Sequence, residues 1–265
     1  MTMNKTQQPG AVLVTGGSRG IGRSTAIEAA RAGYPVCITY VQNETEAHSV
    51  VEQAKSYGVQ ARAIQADVGD LTQVRSLFEA LDVDFPPLYG LVNNAGIIGQ
   101  RGSMLDISAE SVADVFAVNV LGLIECCRQF LLRVDRVPEG SGRECVGVIV
   151  NLSSGAAQEG APFHYIPYGA SKAAVETFSV GLAKEVAAKG VRVNVVSPGV
   201  IDTDIHYPDG VRKSMEALAQ TIAMGRMGTP QEIAHAIMWM LSAEASYVSG
   251  AVLRVAGGGR ILRRT

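Results

Sequence analysis

Charge, histidine and cysteine are all scarce in this chain, and each scarcity removes a class of function. Charged residues make up only 18% of the 265 residues, 23 basic against 25 acidic, for a net charge of -2. A nucleic-acid surface needs a cationic field and an acidic tail needs a run of like charge; the sequence suggests neither. Its one basic cluster, Arg260, Arg263 and Arg264, falls at the extreme C-terminus and reads as a solvated or subunit-contacting tail. The four cysteines, Cys37, Cys126, Cys127 and Cys145, show no C-x-x-C spacing, and the adjacent pair cannot share a helix face. All four read as reduced, mostly buried thiols. His48, His164, His206 and His235 have no metal-ligand spacing, so no metal is expected. No window reads as approaching the run of about 18 apolar residues that spans a bilayer. Residues 1–10 are polar, lack an apolar signal core and read as a flexible arm. The expectation is a soluble, cytoplasmic protein with no nucleic-acid or membrane partner.

What the chain has is apolar runs. Hydrophobic residues make up 47%, and they fall in short blocks that alternate with helical periodicity. Strands are expected over 11–14, 35–40, 60–65, 90–92, 147–152, 191–196 and 252–255. Helices are expected over 21–32, 45–57, 71–81, 111–134 and 230–241, with another running to 189 and holding Tyr168 near its start. Near-continuous apolar strands alternating with helices predict a parallel sheet covered on both faces. Glycine- and proline-rich breaks fall only between elements, so residues 1–265 read as one doubly wound α/β domain. Ligands of such a fold gather at the carboxyl ends of its strands.

The motifs fall at those ends. Thr15-Gly16-Gly17-Ser18-Arg19-Gly20-Ile21-Gly22 follows a predicted strand and precedes a helix. Glycines there permit a tight turn and let backbone N–H groups approach a pyrophosphate, with the helix dipole adding to the attraction. An acidic residue ordinarily closes the second strand of a dinucleotide fold and holds the ribose 2′-OH. This strand ends in Tyr40, and Glu44 lies further on. With Arg19 in the glycine loop, that favours NADP(H), NAD(H) being the alternative. Asp67, after the third strand, either accepts from an adenine amino group or caps the following helix.

Asn93 and Asn94 end the fourth strand, where either could bridge adjacent loops by side-chain hydrogen bonds. Asn119 stands mid-helix, where asparagine is a poor helix former. A satisfied buried amide and a ligand of a catalytic water are both open. Ser153 and Ser154 end the fifth strand, where a hydroxyl could hold a substrate oxygen or cap a turn. Tyr168 and Lys172 are spaced i, i+4 and so share a helix face. A phenol titrates near 10, but an adjacent ammonium favours the phenolate, which makes the pair a proton-transfer device.

Together these residues resemble the short-chain dehydrogenase/reductase family, over nearly the whole chain from Val12 to Gly258. The resemblance implies a doubly wound Rossmann fold with a seven-stranded parallel sheet. It implies an NADP-dependent oxidoreductase that interconverts a carbonyl and an alcohol, with a 3-oxoacyl-thioester reductase or a glucose-type sugar dehydrogenase as alternatives. A catalytically silent nucleotide-sensing scaffold is the non-enzyme alternative. The family's catalytic tetrad carries over to Asn119, Ser154, Tyr168 and Lys172. Ser154 is chosen over Ser153 on its 14-residue distance to Tyr168, one longer than expected, which suggests an insertion within 155–167. Tyr165 is set aside because Gly169 stands four residues after it.

In the implied chemistry Tyr168 exchanges the proton of the carbonyl oxygen and Ser154 steadies that oxygen. Lys172 bonds the nicotinamide ribose and depresses the tyrosine pKa, and Asn119 holds a relay water. The cofactor surface implied is Gly16, Ser18, Arg19, Gly20, Ile21, Gly22, Tyr40, Asp67, Val68, Asn94, Ala95, Gly96, Pro198 and Gly199, together with Tyr168 and Lys172. Ile201 and Thr203 are expected at the carboxamide. Residues 204–225 read as a substrate lid. Ala256 stands where relatives often carry an aspartate. A homotetramer assembled through the helices over 111–134 and 170–189 is also implied.

Overall fold

The computed structural model describes residues 10–134, 145–203 and 219–259. Seven strands form one parallel sheet in the order β3-β2-β1-β4-β5-β6-β7. They are β1 (Ala11–Val14), β2 (Val36–Tyr40), β3 (Ala61–Gln65), β4 (Leu88–Asn93), β5 (Gly147–Leu152), β6 (Val191–Pro198) and β7 (Val252–Val255). Chain order runs outward from β1 to β3 and then returns to β4 on the other side of β1. That reversal opens a crevice at the carboxyl ends of β1 and β4, the usual place for a ligand in such a sheet.

Inner strands such as β1 and β5 are buried on both faces, which is why they read as near-continuous apolar runs. Val12 and Val14 pack on one side with α1 (Gly20–Arg31), α2 (Glu44–Lys55) and α8 (Pro230–Leu241). Ala11 and Leu13 pack on the other with α3 (Leu71–Asp84), α5 (Leu123–Val134) and α7 (Ile166–Val186). Among the described residues the other α-helices are α4 (Ala109–Phe116) and the short α6 (Ala156–Glu159).

Most expected elements stand within two or three residues of their sequence-based bounds. The long helix expected over 111–134 differs in kind: α4 and α5 are joined by a π-helical turn at Ala117–Gly122. The stretch Ala109–Val134 is also long and apolar enough to cross a membrane by length and composition, contrary to the expectation of no such window. The sequence reading missed it because Glu125 and Arg128 interrupt the run. Half of its most apolar window is buried inside the fold, with Leu123, Cys126, Cys127 and Phe130 in the core. Asp67 does not cap α3. Asp70 does, accepting from Thr72 N at 2.8 Å, while Asp67 closes its own turn on Gly69 N. Of the four cysteines, three are buried and Cys145 is half-buried, and all are free thiols.

Candidate active site

Three strand ends are lashed together at the crevice. The Thr15 hydroxyl accepts from the backbone N–H groups of Asn94 and Ala95, both at 3.1 Å. Asn94 Nδ2 donates back to the carbonyls of Thr15 and Gly16, both at 2.9 Å. Gly16 N donates to Thr39 Oγ1 at 3.0 Å, which ties in β2. Asn94 is thus the loop bridge its position suggested. Asn93 points the other way, donating to Asn151 on β5 at 2.9 Å. A Cβ on Gly22 would stand 2.3 Å from the Gly16 carbonyl oxygen and 2.5 Å from Asn94 Nδ2. Glycine at 22 therefore lets α1 start directly against this knot.

The start of α1, like those of α6 and α7, carries no side-chain cap, whereas four other helices do. Asn43, Asp70, Ser108 and Thr229 cap α2, α3, α4 and α8 with their side chains. Arg19 offers α1 no cap, and the first turn holds no acidic residue. The N–H groups of that turn lack a side-chain acceptor, and the helix dipole favours an anion there. A dinucleotide pyrophosphate fits this donor set. Thr203 reaches the same loop, with its Cγ2 3.4 Å from a Cβ placed on Gly20. Arg19 is exposed at the rim. Partial burial and the Glu44 carboxylate both hold the Tyr40 phenol above its ordinary pKa. Glu44 is therefore near the end of β2 in space, a proximity its four-residue separation from Tyr40 did not reveal.

Asn119 is fully buried inside the π-helical turn. Such turns recur at functional sites, where they re-aim a side chain. Its amide donates to the Ile97 carbonyl at 2.9 Å and to Ser171 Oγ at 3.0 Å, and its Oδ1 accepts from Ile97 N at 2.9 Å. Protein groups thus take both of its N–H donors. Ser171 then donates to the Tyr168 carbonyl at 2.7 Å. Sequence reasoning passed over Ser171; its only signal was a hydroxyl inside a helix, free to bond the preceding turn.

The two serines separate cleanly. Ser153 is buried, and its hydroxyl donates to Glu176 Oε1 at 2.7 Å. Ser154 Oγ accepts from Ala156 N at 3.2 Å and lies near enough to the Tyr168 hydroxyl to lower its pKa. Tyr168 is half-buried on the first turn of α7, where Pro167 sits at an N-terminal position that needs no N–H. Burial pushes the phenol up to about 12, against the lowering pull of Ser154. The expected depression by Lys172 is not found. The ammonium lies over the ring, 5.7 Å from its centroid, and donates to the Leu152 carbonyl at 2.9 Å rather than to the phenol. Burial in turn lowers Lys172 to about 8.

Not every expected residue joins this group. Tyr40 ends β2 and Asp67 and Val68 follow β3, with the Val68 carbonyl 2.1 Å from a Cβ placed on Gly122 of the π-helical turn. Ile201 is buried and bridges to Gly228. Beyond it, among the described residues, lies a cavity of about 510 Å³ lined by Ile222, Met224, Arg254 and Gly257, with no tetrad residue in its wall. Ala256 packs 2.8 Å from a Cβ placed on Gly199. Among the described residues no group of histidine, cysteine and carboxylate side chains could hold a metal. Of the lid expected over 204–225, residues 204–218 lie outside the described residues, as do the arm over 1–9 and the basic cluster at 260–264.

Comparison with known proteins adds a lineage to this geometry. A family model described as "Enoyl-(Acyl carrier protein) reductase" matches residues 16–259. The chain is 44% identical over 246 residues to the uncharacterized oxidoreductase YgfF of Escherichia coli (strain K12), covering 93% of this chain and 98% of that protein. It is 34% identical over 249 residues to the 3-oxoacyl-(acyl-carrier-protein) reductase FabG of Staphylococcus aureus (strain N315), covering 94% and 97%. A solved short chain dehydrogenase from Burkholderia cenocepacia J2315, in complex with NADP, superposes with a TM-score of 0.85 at 32% identity, over 96% of this chain and 99% of that one.

Proposed function

The chain belongs to the short-chain dehydrogenase/reductase family, and from that premise we propose that it reduces a carbonyl to an alcohol with NADP(H), Tyr168 supplying the proton. The observation that carries this reading is the convergence of Ser154 and Lys172 on Tyr168 at the carboxyl end of β5. When bound, the nicotinamide supplies the hydride. Tyr168, a phenol protonated at neutral pH, donates its proton to the carbonyl oxygen. Ser154 Oγ is placed to hydrogen-bond the same oxygen and steady its developing charge. Lys172 contributes a positive charge over the tyrosine ring. Asn119 fixes the segment at Ile97 and, through Ser171, the backbone of Tyr168.

NADP(H) is the cofactor that the relatives' complexes support, one solved with NADP and another, a blue fluorescent protein from a metagenomic library, with NADPH. The phosphate-binding surface is the uncapped start of α1, with Gly16, Ser18, Gly20, Ile21 and Gly22 around it and Arg19 at the rim. Ala95, Gly96, Pro198, Gly199 and Thr203 line the path toward the tetrad. The described residues make up a single catalytic domain. The enzyme works in the cytoplasm as a homotetramer assembled in part through α4, α5 and α7. A 3-oxoacyl thioester is the substrate class that the FabG likeness favours.

Fluorescence titration of the purified protein with NADPH and then NADH tests the cofactor reading, followed by NADPH oxidation across aldehydes, ketones and 3-oxoacyl esters. Tight NADPH binding, weak NADH binding and turnover of at least one carbonyl are expected. Binding of neither nucleotide would bring the scaffold reading forward. Strong preference for NADH would overturn the role given to Arg19 and point to Glu44, near the end of β2, as the carboxylate that holds a ribose 2′-OH.

A further inference from the structure

Tyr165 is the tyrosine that the Y-x-x-x-K spacing rejects, yet its ring lies against the one the spacing selects. Tyr165 is the N-cap residue of α7, with an extended φ of -158° and a ψ of 58°. Its carbonyl accepts the Gly169 N–H at 3.2 Å, so the helix begins from its backbone while its side chain leaves the helix path. The ring centroids of Tyr165 and Tyr168 are 5.6 Å apart, at an interplanar angle of 84°. This is the edge-to-face arrangement aromatic rings prefer. Behind Tyr165, the Arg101 guanidinium sits 5.9 Å from its ring centroid. Arg101 belongs to the loop after β4, and the neighbouring Gly102 N–H donates to the His164 carbonyl at 2.9 Å, joining that loop to the one before α7.

The approach to Tyr165 is strained. Ala161 and Phe163 adopt left-handed φ values of 46° and 62°, the two non-glycine residues with positive φ among the described residues. Such conformations persist only where surrounding contacts over-determine them, and they concentrate at functional sites. Phe163 is itself 80% exposed, so its own side chain gains little from the turn. The turn is closed by the Ala161 carbonyl, which accepts from Tyr165 N at 3.2 Å and His164 N at 3.3 Å. Its product is the placement of Tyr165.

We propose that Tyr165 is a positioning residue: its ring, braced by Arg101, holds the Tyr168 ring in the orientation that presents its hydroxyl beside Ser154. The inference rests on the reading of Tyr168 as the proton donor. Tyr168 is then gripped from three directions, by the Tyr165 edge, by the Lys172 ammonium over its ring and by Ser154 at its hydroxyl. The charged and titratable groups that face this ring system are Lys172 from α7, Tyr165 and His164 from the preceding loop, and Arg101 from the loop after β4.

The test compares Tyr165→Leu, Tyr165→Phe, Arg101→Leu and Tyr168→Phe, each checked for folding by circular dichroism. Turnover is followed with NADPH and ethyl acetoacetate, a 3-oxo ester. Tyrosinate absorbance against pH, with the matching Tyr168→Phe protein subtracted, follows the ionisation of Tyr168 without substrate. In Tyr165→Leu, kcat is expected to fall by about ten- to a hundredfold, as small misplacements of reacting groups cause. The KM for NADPH should stay within about twofold. Tyr168 should ionise at lower pH, because removing the ring lets water reach it. Tyr165→Phe keeps the ring and should keep most of the rate. Arg101→Leu should shift kcat and ionisation the same way by less, and carries the test if Tyr165→Leu does not fold. Wild-type kcat and ionisation in Tyr165→Leu and Arg101→Leu would overturn the inference, as would a Tyr165→Phe as impaired as Tyr165→Leu. Full turnover in Tyr168→Phe would instead remove the reading beneath it.

Discussion

The two ends of the sheet use the same residue types for different physical ends. At the amino end, Gly33 and Gly58 follow helices with φ of 89° and 81°, and a Cβ added to either would meet nothing within 4 Å. Glycine serves conformation there. At the carboxyl end the Cβ of a residue at 22 would collide with the Gly16 carbonyl, and one at 96 would stand 3.4 Å from Lys172 Nζ. Glycine serves space at these two positions. Polar residues divide the same way. Arg192, toward the amino end of β6, is buried and donates to the carbonyls of Met240 and Ser242, closing the end of α8. Asn119, Ser171 and Lys172 are buried at the other end in contacts that converge on one tyrosine. A polar group that finishes a helix and one that aims a reacting atom can be equally buried; what separates them is where their partners lead.

Substitutions can break this contrast, and the largest effect is expected at Lys172. Lys172→Met should lower kcat by about a hundredfold or more, in the range of lost proton-transfer assistance, as read by steady-state NADPH oxidation. It should also change how stability depends on pH. Burial lowers Lys172 to about 8 in the fold, against an ordinary value of 10.5. Between those values the unfolded chain holds a proton that the folded chain has released, so stability gains from this residue as pH rises through that window. The gain, on the order of 3 kcal/mol, should appear in wild-type denaturation curves and be missing from Lys172→Met. Equal pH slopes in the two proteins would contradict the account of the buried ammonium.

Gly22→Ala should come next. Overpacking of this kind costs about 1–3 kcal/mol, and because it displaces the start of α1, NADPH affinity should fall with the melting temperature. An alanine variant that binds NADPH normally would show that space at 22 is not what matters. Gly33→Ala gives the smallest effect: roughly 1–2 kcal/mol from the left-handed backbone alone, with kcat unchanged. A loss of kcat there would erase the distinction between the two ends.

Much of the fold was legible because most strands are short apolar runs, several of them closed by glycine or proline, and most helices show their own period. The α4–α5 break was not, since a π-helical turn leaves no residue signature beyond an asparagine in an apolar stretch. At the site, spacing brought out Tyr168, Lys172 and the glycine loop, whose chemistry depends on positions close in sequence. It could not decide Ser153 from Ser154 by chemistry, since adjacent residues on a strand end differ only in the face they take. Nor could it see that Lys172 bonds Leu152, that Glu44 lies near Tyr40 or that Tyr165 packs on Tyr168. Those contacts arise from burial and loop closure, which spacing does not encode.

Tyr168→Phe tests the central claim most directly, because it removes one oxygen and leaves the ring. NADPH affinity, from fluorescence titration, and kcat, from NADPH oxidation with a reducible carbonyl, should be measured on the same preparation. The account predicts a Kd within about twofold of wild type and a kcat lower by about a thousandfold or more. A variant that binds NADPH and still turns over at a substantial fraction of the wild-type rate would contradict it.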